Sequence, residues 1–235
     1  MRRSLVVSLA LAAMVNAPAV AQTCQGLASF SAGQMQVVGN AQFPEGGKVW
    51  GGSFSYGMPS GLYAGADLST TSFDAPEGAD SPSSLGIGAH VGYQMKLGQS
   101  GKINLCPVAR LALGIGPDDE DANLNSSSTD VHFGIAVGTE MGSTRQMRII
   151  PTAGLGLQYS KLKQEITSGP GAGETEGSET YGLARLGVGF VFNQQISVRP
   201  TIDIPVGLEG GSDPTFGLSV GYNFGSKGVS KARRH

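Results

Sequence analysis

The chain has 235 residues and a formal net charge of −2, with 14% of its residues charged against roughly a quarter in an average globular domain. So low a charge density, with no basic excess, excludes a nucleic-acid-binding surface and a disordered polyelectrolyte. Thirty-seven glycines without a G-X-Y period exclude collagen, and 40% hydrophobic content at a mean hydropathy near zero excludes a bundle of membrane helices.

In chain order, Arg2 and Arg3 precede a mostly apolar stretch from Leu5 to Val15, and Ala19-Val20-Ala21 offers a small-x-small cleavage site before Gln22. Residues 1–21 therefore read as a signal peptide, and residues 22–33 as an N-terminal periplasmic segment. Thr23, not a small residue at the cut, precedes Cys24, so a lipoprotein anchor is not expected.

From residue 34 to 225 the dominant signal is alternation with period two. Gln34 to Phe43, Lys48 to Gly57 and Gly61 to Phe73 carry it with rising clarity. Leu85 to Leu97 then sets Leu85, Ile87, Ala89, Val91, Tyr93 and Met95 against Gly86, Gly88, His90, Gly92, Gln94 and Lys96. Ile103 to Ile115, Val131 to Met141, Ile149 to Tyr159, Leu186 to Phe192, Ile196 to Leu208 and Phe216 to Phe224 repeat the pattern. Ten strands are predicted, or eight if the first two segments pack elsewhere. Short connections alternate with longer ones, among them Asp74 to Ser84, Pro117 to Ser128 and Ser168 to Glu179. An even number of antiparallel strands with short and long ends in turn predicts an all-β, closed up-and-down transmembrane barrel. Residues 226–235 form a basic tail containing Lys227, Lys231, Arg233 and Arg234.

An ionised group facing lipid at the bilayer midplane costs about 2–4 kcal/mol, so the polar rows must face the lumen. That places Asp67, His90, Lys96, Arg110, His132, Glu140, Gln158, Arg185, Arg199, Asp203 and Glu209 inside. His90, Arg110, Glu140, Arg185, Arg199 and Asp203 form the core of this expected lumen cluster; paired across a narrow interior, they fill it rather than conduct. The same parity puts Phe133, Tyr159 and Phe216 outside near the long loops, and Tyr93, Phe190, Phe192, Tyr222 and Phe224 outside near the short turns, as two aromatic belts. The long-loop side is acidic, the short-turn side basic.

With these strands the chain resembles the small outer-membrane β-barrel superfamily of OmpA-, OmpX- and OmpW-like domains. The resemblance rests on Ile150-Pro151-Thr152-Ala153-Gly154-Leu155-Gly156-Leu157-Gln158-Tyr159, similar to a Pro-x-x-Gly-x-Gly strand, and on the aromatic-ended strand Gly217 to Phe224. It implies a barrel in the cell outer membrane, contacting outer-membrane lipid, and no activity. It departs from the pattern in that Phe224 is followed by Gly225 to His235 instead of ending the chain.

Individual residues add less. Pro107, Pro151 and Pro200 each follow a short turn at intervals near 45 residues, a position that often marks a bulge or strand end. Cys24 and Cys106 are the only cysteines; export permits a disulfide, and parity puts Cys106 inside near the short-turn mouth, where a bridge to Cys24 would tether the N-terminal segment inside the barrel's mouth. His90 and His132 have no carboxylate at ligand spacing, so no metal site or cofactor is expected. Asp118, Asp119, Glu120 and Asp121 lack the spacing of a calcium loop and suggest at most weak divalent cation binding at an acidic outer rim. Asp130 and His132, with Ser126 to Ser128 nearby, are the one acid–base pair at that rim. With no catalytic motif, the expected role is non-enzymatic: a filled barrel with a structural or surface-interaction function. A narrow channel, a soluble periplasmic ligand-binding barrel and a rim hydrolase are the alternatives.

Overall fold

The computed structural model describes residues 23–28, 32–74, 82–97, 103–116, 124–141, 146–166, 172–207 and 213–225. Ten antiparallel strands make up most of it: β1 (Met35–Phe43), β2 (Gly47–Gly57), β3 (Leu62–Phe73), β4 (Ser83–Tyr93, continued after Gln94 by Met95–Leu97), β5 (Ile103–Ile115), β6 (Leu124–Thr139), β7 (Met147–Ile166), β8 (Gly173–Phe192), β9 (Ile196–Val206) and β10 (Thr215–Phe224). Each pairs with its neighbours in the chain. β1 returns to β10, with Met35 opposite Phe224 and Phe43 opposite Phe216, which closes the sheet. The two weakest segments of the sequence are thus full members of the wall, and the eight-strand alternative is set aside.

Closure satisfies the backbone groups that hydrocarbon would otherwise leave unpaired, and alternation does the rest. Leu85, Ile87, Val91, Leu111, Leu113, Ile135, Leu155, Leu157, Leu218 and Val220 stand exposed on the outer surface, while Gln36, Ser55, Asn104, Ser197, Asp203 and Asn223 are buried inside. A soluble ligand-binding barrel has the opposite arrangement, with apolar rows lining the cavity.

The three spaced prolines have a structural counterpart. The β4–β5 ladder skips the stretch around Pro107 between Gly92↔Val108 and Met95↔Leu105. The β6–β7 ladder ends at Gly138↔Thr152, just before Pro151, and touches again only at Met141↔Ile149. The β8–β9 ladder skips Arg199 and Pro200 between Val198↔Phe190 and Thr201↔Gly187. Proline has no N–H to donate, so each interrupts the ladder to the preceding strand, always near the short-turn end.

Two expectations need correction. The loops placed at Pro117 to Ser128 and Ser168 to Glu179 are partly strand: β6 begins at Leu124, and β7 and β8 run 20 residues each, paired out to Ile166↔Gly173. Compared with the 11 residues of β9, this hairpin continues for roughly 30 Å more along the strand at about 3.4 Å per residue. Its outer part is exposed on both faces and mostly polar, with Leu162 an isolated apolar residue, so no apolar alternation betrays it. Second, Phe133 lies opposite Ala109, midway along β5, not at the long-loop rim. A further aromatic contact near the long loops, the edge-to-face pair Phe43 and Trp50 with centroids 6.1 Å apart, escaped the sequence reading.

Candidate functional site

Inside the short-turn end sits the N-terminal segment itself. Thr23–Gln25 forms one 3-10 turn, Gly26 takes a left-handed φ of +73° that bends the chain, and Thr23, Cys24, Leu27 and Ala28 are all buried. Cys24 is joined to Cys106 of β5, with the two Cα atoms 5.9 Å apart. Residues 23–28 therefore lie within the lumen, at the mouth to which the bridge was expected to tether them.

Small residues in the wall make room for this backbone. A Cβ on Gly138 of β6 would stand 2.5 Å from the Thr23 carbonyl oxygen, and one on Gly189 of β8 would overlap Gly26. Polar side chains then satisfy the segment's amides and carbonyls, as burial requires. The Thr23 N–H donates to Gln94 Oε1 (3.1 Å), and Gln94 Nε2 in turn to Asn104 Oδ1 (2.8 Å). Gln25 Nε2 donates to the Tyr63 hydroxyl (2.8 Å), and Arg199 Nη1 donates to the Gln25 carbonyl. The Ala28 carbonyl accepts from Gln36 Nε2 (3.2 Å) and Asn223 Nδ2 (3.1 Å), on the two strands that close the barrel. Ala28 also packs with Ile150 and Val191 in a small apolar cluster. Gln36, Gln94, Asn104 and Asn223 were not singled out from the sequence, because neutral amides on an alternating polar face carry no distinguishing mark.

Above the segment the expected lumen cluster divides into separate pairs. Arg185 holds Asp203 through Nε to Oδ1 and Nη2 to Oδ2, both 2.6 Å, the two-pronged geometry that suits guanidinium and carboxylate. Arg110 Nε donates to Asp67 Oδ2 at 3.3 Å, and His90 Nδ1 meets the same oxygen at 3.0 Å. Arg199 reaches the N-terminal segment and Ser219 Oγ (3.3 Å). Glu140 stands apart, paired with Arg148 Nη1 at 2.8 Å on the neighbouring strand. The carboxylate partner of His90 is missing from its own strand and comes from β3, so local spacing could not reveal it.

The acid–base pair at the outer rim does not assemble in the way the sequence suggested. Asp130 accepts hydrogen bonds from Ser160 Oγ (2.6 Å) and Gln158 Nε2 (3.4 Å), and the His132 ring lies against Gly134 and Gly156. Among the described residues, cavities extend through the lumen above the segment. One, of about 170 Å³, lies directly above the segment and is lined by Gln25, Ser55, His90, Arg110, Arg185 and Arg199 among others. The next, of about 200 Å³, shares Asp67 and Arg110 with it and reaches Ser128, Asp130 and Gln158 toward the long loops. The signal segment 1–21, the acidic run Asp118 to Asp121, Glu209 and the tail 226–235 lie outside the described residues.

On the projecting hairpin, Lys161 pairs diagonally with Glu176 and Lys163 with Glu174, each at 2.8 Å. The hydrogen bond to Glu176 raises the Lys161 ammonium above its ordinary pKa, and the same bond holds the Glu176 carboxyl below its own. Near the barrel's long-loop end, a hydrogen bond with Asp213 raises the Glu45 carboxyl.

A family model described as outer membrane protein beta-barrel domain matches residues 7–224. Among solved structures, the N-terminal β-barrel domain of Pseudomonas aeruginosa OprF is 15% identical with a TM-score of 0.39, covering 82% of this chain and 98% of that one. Ail, the attachment invasion locus protein of Yersinia pestis, is 12% identical with a TM-score of 0.42 over 82% of this chain and 99% of its own. The β domain of the Bordetella autotransporter BrkA is 12% identical with a TM-score of 0.49 over 83% and 100%. No curated protein matches the sequence.

Proposed function

Since the chain belongs to the outer membrane protein β-barrel domain family and resides in the cell outer membrane, we propose that it is a non-conducting barrel that presents a surface element outside the cell. The observation that carries this reading is the N-terminal segment seated in the lumen. It is fixed covalently through Cys24 and Cys106 and bonded to Arg199, Gln36, Asn223 and Gln94 around the wall. Solute entering from the long loops meets this backbone at the bottom of the barrel, which opposes passage.

The surface element is the β7–β8 hairpin. Lipid requires only about 9–11 residues per strand; the additional length stands beyond the membrane and carries the solvated ion pairs of Lys161 and Lys163. Two measurements test the reading. In a planar bilayer the wild-type barrel gives no stepwise conductance, and deletion of residues 23–28 produces openings; steady openings of the wild type would favour the channel reading. On intact cells, trypsin cuts at Lys161 or Lys163, and protection of both sites would remove the hairpin from the surface.

A further inference from the structure

We propose that Ser55, His90 and Asp67 form an acyl-transfer site within the barrel, with Ser55 as nucleophile toward a small carboxylic ester, an activity beyond the surface role argued above. Ser55 Oγ lies 2.9 Å from His90 Nε2, and His90 Nδ1 lies 3.0 Å from Asp67 Oδ2. The distances matter less than which atoms meet: hydroxyl on one ring nitrogen, carboxylate on the other. That is the order in which serine, histidine and aspartate act in acyl transfer on several unrelated folds. Asp67 also accepts from the Arg110 guanidinium, which favours the ionised carboxylate. An ionised carboxylate only accepts, so Nδ1 carries the ring proton and Nε2 is left to accept from the serine hydroxyl.

The arrangement depends on one missing side chain. Ser55 on β2 is opposite Gly65 on β3, and Gly65 is opposite His90 on β4. Serine and histidine are thus two strands apart, and the imidazole reaches the hydroxyl by lying across Gly65. A Cβ there would stand 2.6 Å from both His90 Cε1 and Nε2. Ser55 and His90 line the cavity of about 170 Å³ above the N-terminal segment, large enough for an acyl group of a few heavy atoms. Arg110 and Arg199 line the same space and supply positive charge for a developing oxyanion.

The chemistry balances without a cofactor. Ser55 Oγ bonds to the acyl carbon while its proton moves to His90 Nε2. Collapse of the tetrahedral species expels the alkoxide, which takes that proton and leaves as the alcohol. Water arriving from the upper cavity gives a proton to His90 as it attacks the acyl carbon; collapse breaks the acyl–Oγ bond, His90 returns that proton to Ser55 Oγ, and the carboxylic acid leaves. Asp67 is a positioning residue throughout: it fixes the ring and stabilises the imidazolium.

The test uses methanesulfonyl fluoride, a serine reagent small enough for the cavity, and p-nitrophenyl acetate, both applied to the full-length folded barrel. The expected result is one sulfonyl adduct mapped to Ser55 and ester turnover, both lost in Ser55→Ala. His90→Gln and Asp67→Asn should slow the labelling by about 10²-fold or more while heat-modifiable migration on gels stays intact. Should His90→Gln fail to fold, Ser55→Cys replaces it, with the thiol expected to react with iodoacetamide faster in the folded barrel than in urea. An unlabelled Ser55 in the folded wild type, turnover that survives Ser55→Ala, or a thiol no faster in the folded state overturns the proposal.

Discussion

At the short-turn end the lumen is filled by backbone, amides and small side chains, whereas at the long-loop end it is filled by long charged side chains that leave space between them. Thr23, Cys24, Gln36 and Ser197 are wholly buried, but the side chains of Arg110 and Arg185 keep 47% and 41% of their surface open to the cavities. The lower half is held by shape and a covalent bond, and the upper half by ion pairs in a wet interior. Steric fit excludes water and tolerates little change. Charge pairing in contact with water stabilises less and leaves room for a ligand.

The largest test of this contrast removes the covalent tether. The bridge spans 82 residues, and a loop of that size corresponds to about 4.5 kcal/mol of chain entropy in the unfolded state. Cys24→Ser with Cys106→Ser is expected to lower the unfolding free energy of the detergent-solubilised barrel by a comparable amount, read as a lower urea midpoint of the heat-modifiable band. Less severe is Gly189→Ala, which forces a methyl onto Gly26; overpacking of this kind costs about 1–3 kcal/mol and should raise bilayer conductance as the segment shifts. Asp203→Ala strands Arg185 in the upper half. A fully buried broken pair costs about 3–5 kcal/mol, but the partly open guanidinium reduces this to about 1–2 kcal/mol. If that substitution proves more damaging than Gly189→Ala, the two halves do not differ as described.

The smallest effect is expected on the hairpin. Lys161→Ala should leave the urea midpoint unchanged, since the pair with Glu176 is solvated. The Glu176 carboxyl, held low by Lys161, should titrate below the ordinary glutamate range by NMR in a nanodisc. Its folded value is depressed, so the attraction is complete above the unfolded pKa and disappears as pH falls through the lowered one. Glu45 runs the other way: Asp213 raises it, so it should titrate above the ordinary range, and that contact strengthens as pH falls.

Much of the fold was legible because alternation is a local property. In an extended chain successive side chains point to opposite sides, so the rows at Leu85 to Leu97 and Phe216 to Phe224 declared their faces without reference to any neighbour. The outer hairpin was not legible, since water bathes both its faces and removes the selection that makes rows apolar. The lumen cluster was legible as a face but not as contacts. Arg110 and Asp203 were placed inside, yet nothing in the sequence joined Arg110 to Asp67, Arg185 to Asp203 or Glu140 to Arg148.

The sequence by itself determined a β-barrel, its inside and outside, and a route for Cys24 to reach Cys106, because each follows from the parity of a strand and the chemistry of one residue. Only the tertiary structure decided which wall residues bond residues 23–28 within the lumen and that Ser55, His90 and Asp67 converge across Gly65. Those contacts depend on the register between strands, which closure of the whole sheet sets, and no single segment contains it.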